Sequence, residues 1–176
     1  MKKIMVAIAA LLSLSASCFA SQIEVDYAPQ TNCTTAQVLL QEPVKEVKGL
    51  GVFAYELVGK NWSEAYAWLT YSPVPQLELA LGYGTEEAKN PNRLGGWVWA
   101  GKDRLSGIYL FEDGGSGPWH KLELKYAATD RVSLGYVERS YSGEGLMAEY
   151  KLTSSEKVRV YSFKEGTTEV SLIHSF

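Results

Sequence analysis

The chain holds only two cysteines, two histidines and three methionines in 176 residues, and no uninterrupted run of twenty apolar residues. Each shortage excludes something. Two cysteines cannot staple a disulfide-dense scaffold or furnish a structural zinc set. His120 and His174 lie far apart in sequence and cannot build a metal centre without carboxylate help. A transmembrane helix needs roughly twenty apolar residues, so a helical span is absent. Charge of one sign is also missing: 17 basic residues face 20 acidic ones, a formal charge of -3, which gives no electrostatic reason to expect a nucleic-acid partner. No phosphate loop, dinucleotide fingerprint, zinc spacing or GxSxG elbow occurs, and no cofactor is expected. Gly82-Tyr83-Gly84 and Gly95-Gly96 read as close-packing positions in strands rather than ligand loops.

What is abundant is aromatic: 11 Tyr, 5 Trp and 5 Phe, with 16 Gly and 6 Pro, a balance that favours strands and turns. The first twenty residues form an address. Met1-Lys2-Lys3 is basic, Ile4 to Leu14 is apolar apart from Ser13, and small residues stand at Cys18 and Ala20. That is the layout of a secretory signal peptide with cleavage after Ala20. Lipidation at Cys18 is the alternative, weakened by Ser15 where a lipoprotein signal prefers Leu. Cleavage leaves 15 basic and 20 acidic residues and a single cysteine, Cys33, which cannot form an internal disulfide. A secreted domain without a disulfide must be stabilised by its core, by a membrane or by oligomerisation.

From about Lys48 onward the chain alternates with period 2. Leu77, Leu79, Leu81 and Tyr83 fall on one face, and Gln76, Glu78, Ala80 and Gly82 on the other. Leu122, Leu124 and Tyr126 likewise oppose Lys121, Glu123 and Lys125. Turn chemistry at Gly59-Lys60-Asn61, Pro73-Val74-Pro75, Asn90-Pro91-Asn92, Asp113 to Pro118, Ser142-Gly143 and Glu165-Gly166 divides the pattern. The spacing predicts about ten strands: 48–59, 62–72, 76–85, 93–102, 104–113, 118–128, 131–140, 145–153, 157–165 and 167–176. Short links make consecutive strands antiparallel neighbours, and closure into a barrel removes the two open edges. The fold class is therefore all-β, an antiparallel up-and-down barrel of about 10 strands, with 8 or 12 as alternatives. In 52–57, 62–71 and 95–110 both faces carry apolar residues, so those strands meet protein or lipid on both sides.

Which face is apolar decides between a membrane barrel and a soluble one that holds an apolar ligand. Strands of about ten residues match the 9–11 that a tilted strand needs to cross a bilayer. Aromatic residues gather near strand ends (Trp62, Tyr71, Tyr83, Phe111, Trp119, Tyr126, Tyr136, Tyr141 and Phe176), as interfacial girdles require. The other face carries both charges: Glu78, Lys121, Glu123, Lys125, Arg131, Glu149, Lys151, Arg159 and Glu169. These point to a charged lumen, either sealed by ion pairs or holding a narrow water-filled path.

The chain stops at Phe176, preceded at every second position by Val170, Leu172 and His174. This ending resembles the C-terminal strand of Gram-negative outer-membrane β-barrels, although His174 stands where that pattern usually has a bulky apolar residue. The resemblance implies an outer-membrane location, contact with outer-membrane lipid, and recognition of the terminal Phe by the barrel assembly machinery, after escort by periplasmic chaperones. With Phe176 at the periplasmic side, the two longest expected links, 85–93 and 113–118, fall outside the cell.

Residues 21–47 fit the pattern poorly. Ile23, Val25 and Tyr27 alternate, whereas Thr34 to Gln41 reads as a helical turn or two ended by Pro43. The segment is expected to lie in the periplasm or plug the lumen; two further strands are the alternative. The expected domains are 1–20 signal peptide, 21–47 N-terminal segment and 48–176 barrel. As an enzyme, the chain offers only Asp113, Ser116 and His120 on one external link, in a Gly-rich turn that would hold no catalytic geometry. The expected function is non-enzymatic: an outer-membrane barrel, structural or a narrow channel for small solutes. A periplasmic barrel binding an apolar ligand and an outer-rim hydrolase are the rival readings.

Overall fold

A computed structural model describes residues 20–60 and 62–176, so the expected signal peptide, Cys18 included, lies outside the described residues except for Ala20. Period-2 alternation becomes strand throughout. The elements are β1 (Ala20–Ala28), β2 (Cys33–Pro43), β3 (Leu50–Val58), β4 (Ser63–Val74), β5 (Leu77–Glu86) and β6 (Asn92–Lys102). They continue with β7 (Leu105–Gly114), β8 (Trp119–Ala127), β9 (Val132–Arg139), β10 (Gly143–Lys151), β11 (Glu156–Phe163) and β12 (Thr168–Ser175). Each strand pairs antiparallel with its neighbours in the chain, and β1 pairs with β12 to close a barrel. Closure leaves no unpaired edge.

The barrel has twelve strands. The ten predicted from the alternation all form, with bounds within two residues of those expected. The other two come from 21–47, which is neither a periplasmic segment nor a plug: β1 registers Val25 against Leu172 and Asp26 against Ser171, and β2 registers Leu39 against Tyr55. The helical turn expected over 34–41 is corrected to strand. Its alternation is masked because Leu39 shares the inward face with Gln37 and Gln41, between the outward Val38 and Leu40. Pro43 is the last residue of β2, an end position where its missing N–H costs the ladder little.

One parity of every strand faces out. Leu69, Leu81, Leu134, Leu146 and Leu172 are all exposed, Leu81 to 76%. They form an apolar belt at mid-height, with outward charged residues such as Glu138, Glu144 and Glu156 confined to strand ends. Tyr71, Tyr126, Tyr150 and Phe176 mark the belt at the end that carries the termini; Tyr27, Tyr83 and Phe111 mark it at the other. Two aromatic positions differ from expectation. Trp119 pairs with the inward Glu112 and faces the lumen, and Trp62 turns from its link to donate to Glu64.

An even strand number places both termini at one end. The links expected to be longest contract to 87–91 and 115–118, because β5 runs on to Glu86 and β7 to Gly114. The longest link, 44–49, lies at the end with the termini, where Gly49 takes a left-handed φ of 81° beneath the carbonyl of Ser72. Loop length therefore does not distinguish the two ends.

Candidate functional site: a lumen with two unlike walls

The inward parity builds the candidate site. From β3 to β7 the wall is aromatic: Tyr66 and Trp68 are buried, with Phe53, Tyr55, Trp97 and Leu110 packed against them. Tyr66 stacks on Trp68 at 5.0 Å and tilts against Tyr55 at 6.3 Å. The indole of Trp68 lies flat because β5 and β6 present Gly82 and Gly95 beneath it; a Cβ at either position would collide with the ring. This wall explains why 52–57, 62–71 and 95–110 are apolar on both faces: one face meets the belt outside and the other this cluster.

From β8 round to β1 the wall is ionic. Lys121 pairs with Glu123 at 3.1 Å, Lys125 with Glu149 at 3.6 Å, and Arg139 with Glu169 at 2.6 Å. Arg159 pairs with Glu149 at 2.7 Å and reaches Glu24 at 3.6 Å. Tyr161 knits the group together. Its hydroxyl donates to Glu123 at 2.9 Å and accepts from Arg159 at 3.1 Å, while Lys121 and Arg139 stand 5.6 and 5.8 Å from its ring centre. Beside it Val137, Met147 and Phe163 are buried against Tyr161. The lumen is thus narrow, but not dry throughout: the side chains of Lys121 and Lys125 keep 23% and 28% of their surface open. At the end with the termini it opens into a cavity of about 470 Å³ lined by Gln76, Trp99, Arg104 and Lys125.

A third cluster lies at the opposite end. Arg93 is buried and pairs with Glu86 and, at 3.4 Å, with Glu112, and its Nε donates to the Tyr66 hydroxyl at 2.7 Å. Ser116 is drawn inward to it: its backbone N–H and its hydroxyl each donate to Glu86 at 2.7 Å. The link 115–118 is thereby tied to the rim of the lumen. At the same end, in the link 164–167, the Lys164 ammonium has a raised pKa because it hydrogen-bonds the Glu144 carboxylate at the start of β10.

Of the charges read as luminal from sequence, Lys121, Glu123, Lys125, Glu149, Arg159 and Glu169 lie in the ionic wall. Glu78 faces inward on β5, where its carboxylate accepts from the Ser72 hydroxyl at 3.0 Å. Lys151 is the exposed last residue of β10, on the inward register at the mouth. Arg131 lies exposed in the turn 128–131, one residue before β9, where its carbonyl accepts from the Lys151 N–H at the same mouth. Sequence reasoning missed Glu24 and Asp26 because 21–47 was read outside the barrel. It missed Glu64, Glu86, Arg93, Glu112 and Arg139 because they stand near strand ends; the inward parity carried through to the last pair would have found them. At the C-terminus Val170, Leu172 and His174 face outward; His174 meets Phe176 edge-on at 4.7 Å and Glu156 at 3.9 Å.

Asp113, Ser116 and His120 are not brought together. Ser116 turns into the lumen, while Asp113 and His120 occupy outward positions. His120 instead meets Ser140, 2.9 Å from its Nδ1, and Glu138, 3.6 Å from its Nε2. The Ser140 hydroxyl also accepts from the His120 backbone N–H, a local clasp between the start of β8 and the turn that follows β9. Among the described residues no group of three histidine, cysteine or carboxylate side chains is placed to hold a metal ion.

No protein-family model matches the chain, and no curated protein matches it. Solved structures do. The KdgM porin superposes with a TM-score of 0.62 at 14% identity, covering 89% of this chain and 99% of that one. The fold is that of the outer-membrane porins. The NanC porin gives a TM-score of 0.58 at 11% identity, covering 89% and 98% of the two chains. Omp33 of Acinetobacter baumannii gives 0.56 at 13% identity, covering 90% and 97%.

Proposed function

We propose that the protein is an integral outer-membrane barrel, non-enzymatic, that acts as a narrow channel for small solutes. The observation that carries this reading is the inversion of polarity: apolar side chains cover the outside, and paired charges line the inside. A soluble ligand-binding barrel needs the opposite arrangement, so the periplasmic binding reading is given up. A lumen meant only as a sealed core would exclude water; here the charged wall keeps part of its surface open. The likeness to porins supports the same reading at the level of fold. Phe176 is exposed just beyond β12 at the end with the termini, open to the contact with the assembly machinery that this reading expects, and the reading takes that end as periplasmic. Outer-membrane lipid is the partner of the belt.

Purified full-length protein reconstituted in a planar bilayer tests the channel directly. Discrete single-channel steps are expected, too small to pass an oligosaccharide-sized polymer. A silent bilayer with correctly folded protein would reduce the role to a structural one.

A further inference from the structure

We propose that the lumen prefers cations, and that Asp26, Glu64 and the Glu86/Glu112 pair set this preference. The inference rests on the channel reading above and deepens it. The ionic wall is balanced: Lys121, Lys125, Arg139 and Arg159 face Glu24, Glu123, Glu149 and Glu169, each in an ion pair. What remains is not balanced. Among the described residues Arg93 is the one cation paired with Glu86 and Glu112, which leaves one carboxylate in excess. Asp26 is buried and receives only neutral donors: the Gln37 amide at 2.6 Å, the Thr35 hydroxyl at 3.2 Å and the Ser171 hydroxyl. Glu64 takes the Trp62 indole N–H at 3.3 Å. Neither Asp26 nor Glu64 has a cation within 4.0 Å among the described residues.

All of these groups lie in the half of the lumen away from the termini. Glu64 stands at the start of β4, Glu86 at the end of β5, Arg93 near the start of β6 and Glu112 near the end of β7, and Asp26 lies two residues from the end of β1. At the other mouth, among the described residues, the charges outside any ion pair include Lys151 at the end of β10, Lys157 at the start of β11 and Arg104 in the lining of the cavity, with Glu78 near the start of β5 as an inward carboxylate beside them. The half of the path away from the termini thus carries uncompensated carboxylates, and the excess of basic groups sits at the mouth that opens into the cavity, where solvent screens them. Fixed charge in a low-dielectric passage concentrates the counter-ion, so small cations are the favoured solutes.

The test is the reversal potential of the full-length protein in a planar bilayer under a KCl gradient, with folding checked by the mobility shift between unheated and boiled samples. The expected sign is that of potassium permeation. Glu64→Gln and Asp26→Asn, alone and together, are expected to lower the cation-to-anion permeability ratio by roughly fivefold per carboxylate removed, the size of a unit charge acting at close range through water. Lys151→Gln is expected to leave the ratio unchanged or raise it. A conducting protein that prefers chloride overturns this inference and leaves the channel reading intact. A potassium preference that survives both substitutions overturns the assignment to these residues. Folded protein that passes no current overturns the channel reading, and this inference with it. Should the double variant fail to fold, Glu64→Gln alone, at the rim, decides.

Discussion

At the scale of the residue, the lumen depends on compensation. Arg93 is buried between two carboxylates and a tyrosine hydroxyl, and its loss strands Glu86 and Glu112 away from water. Removing one partner of such a group costs about 3–5 kcal/mol. Arg93→Met is therefore expected to lower unfolding stability in urea by that amount, read from the mobility shift; a change under about 1 kcal/mol, within the ordinary range for surface substitutions, would mean that the cluster is well solvated. Trp68 gives the reverse case. Its indole Nε1 is buried without a hydrogen-bond partner among the described residues, a state that costs about 1–3 kcal/mol. Trp68→Phe keeps the stacking on Tyr66 and removes the orphan donor, so it is expected to be neutral or slightly stabilising. Gly82→Ala, which drives a methyl into the same ring, is expected to destabilise clearly. The pair separates shape from polarity at one spot.

At the scale of the element, each strand serves lipid on one face and lumen on the other. Leu81 stands at mid-length of β5 on the outward register. Leu81→Arg is expected to cost about 2–4 kcal/mol, the depth-dependent penalty for a cation at the bilayer midplane. Lys157→Arg, on the inward register at the mouth, should change little in the same titration. Deleting Phe176 should reduce the amount of assembled protein without altering the barrel once formed, measured as the yield of the heat-sensitive band. The strands themselves were legible wherever period 2 was clean. Leu77/Leu79/Leu81 against Glu78/Ala80/Gly82 needs nothing but the pleat to be placed. Legibility failed where the inward face was also apolar. Leu39, Phe53, Tyr55, Tyr66 and Trp68 face the lumen, so the alternation of β2, β3 and β4 is blurred, and β2 read as helix. The site suffered most from this: Glu24 and Asp26 were lost with their strand. Near strand ends the turn residues hid Glu86, Arg93 and Glu112, whose cluster joins three strands and a link that no local pattern connects.

At the scale of the whole molecule, closure and polarity inversion make one statement. Twelve strands form a barrel only because β1 bridges β12 and β2. The outside that results is apolar between two aromatic bands, a continuous exposed surface of the kind that marks a membrane or partner contact. A bilayer would satisfy the belt, as internal pairing satisfies the lumen. The most direct measurement is outer-membrane fractionation of cells producing the full chain, followed by electrophoresis of unheated and boiled samples. The expected result is protein in the outer-membrane fraction whose mobility changes on boiling, the mark of a closed barrel that resists detergent. Protein recovered in the soluble periplasm, with identical mobility in both samples, would contradict the account.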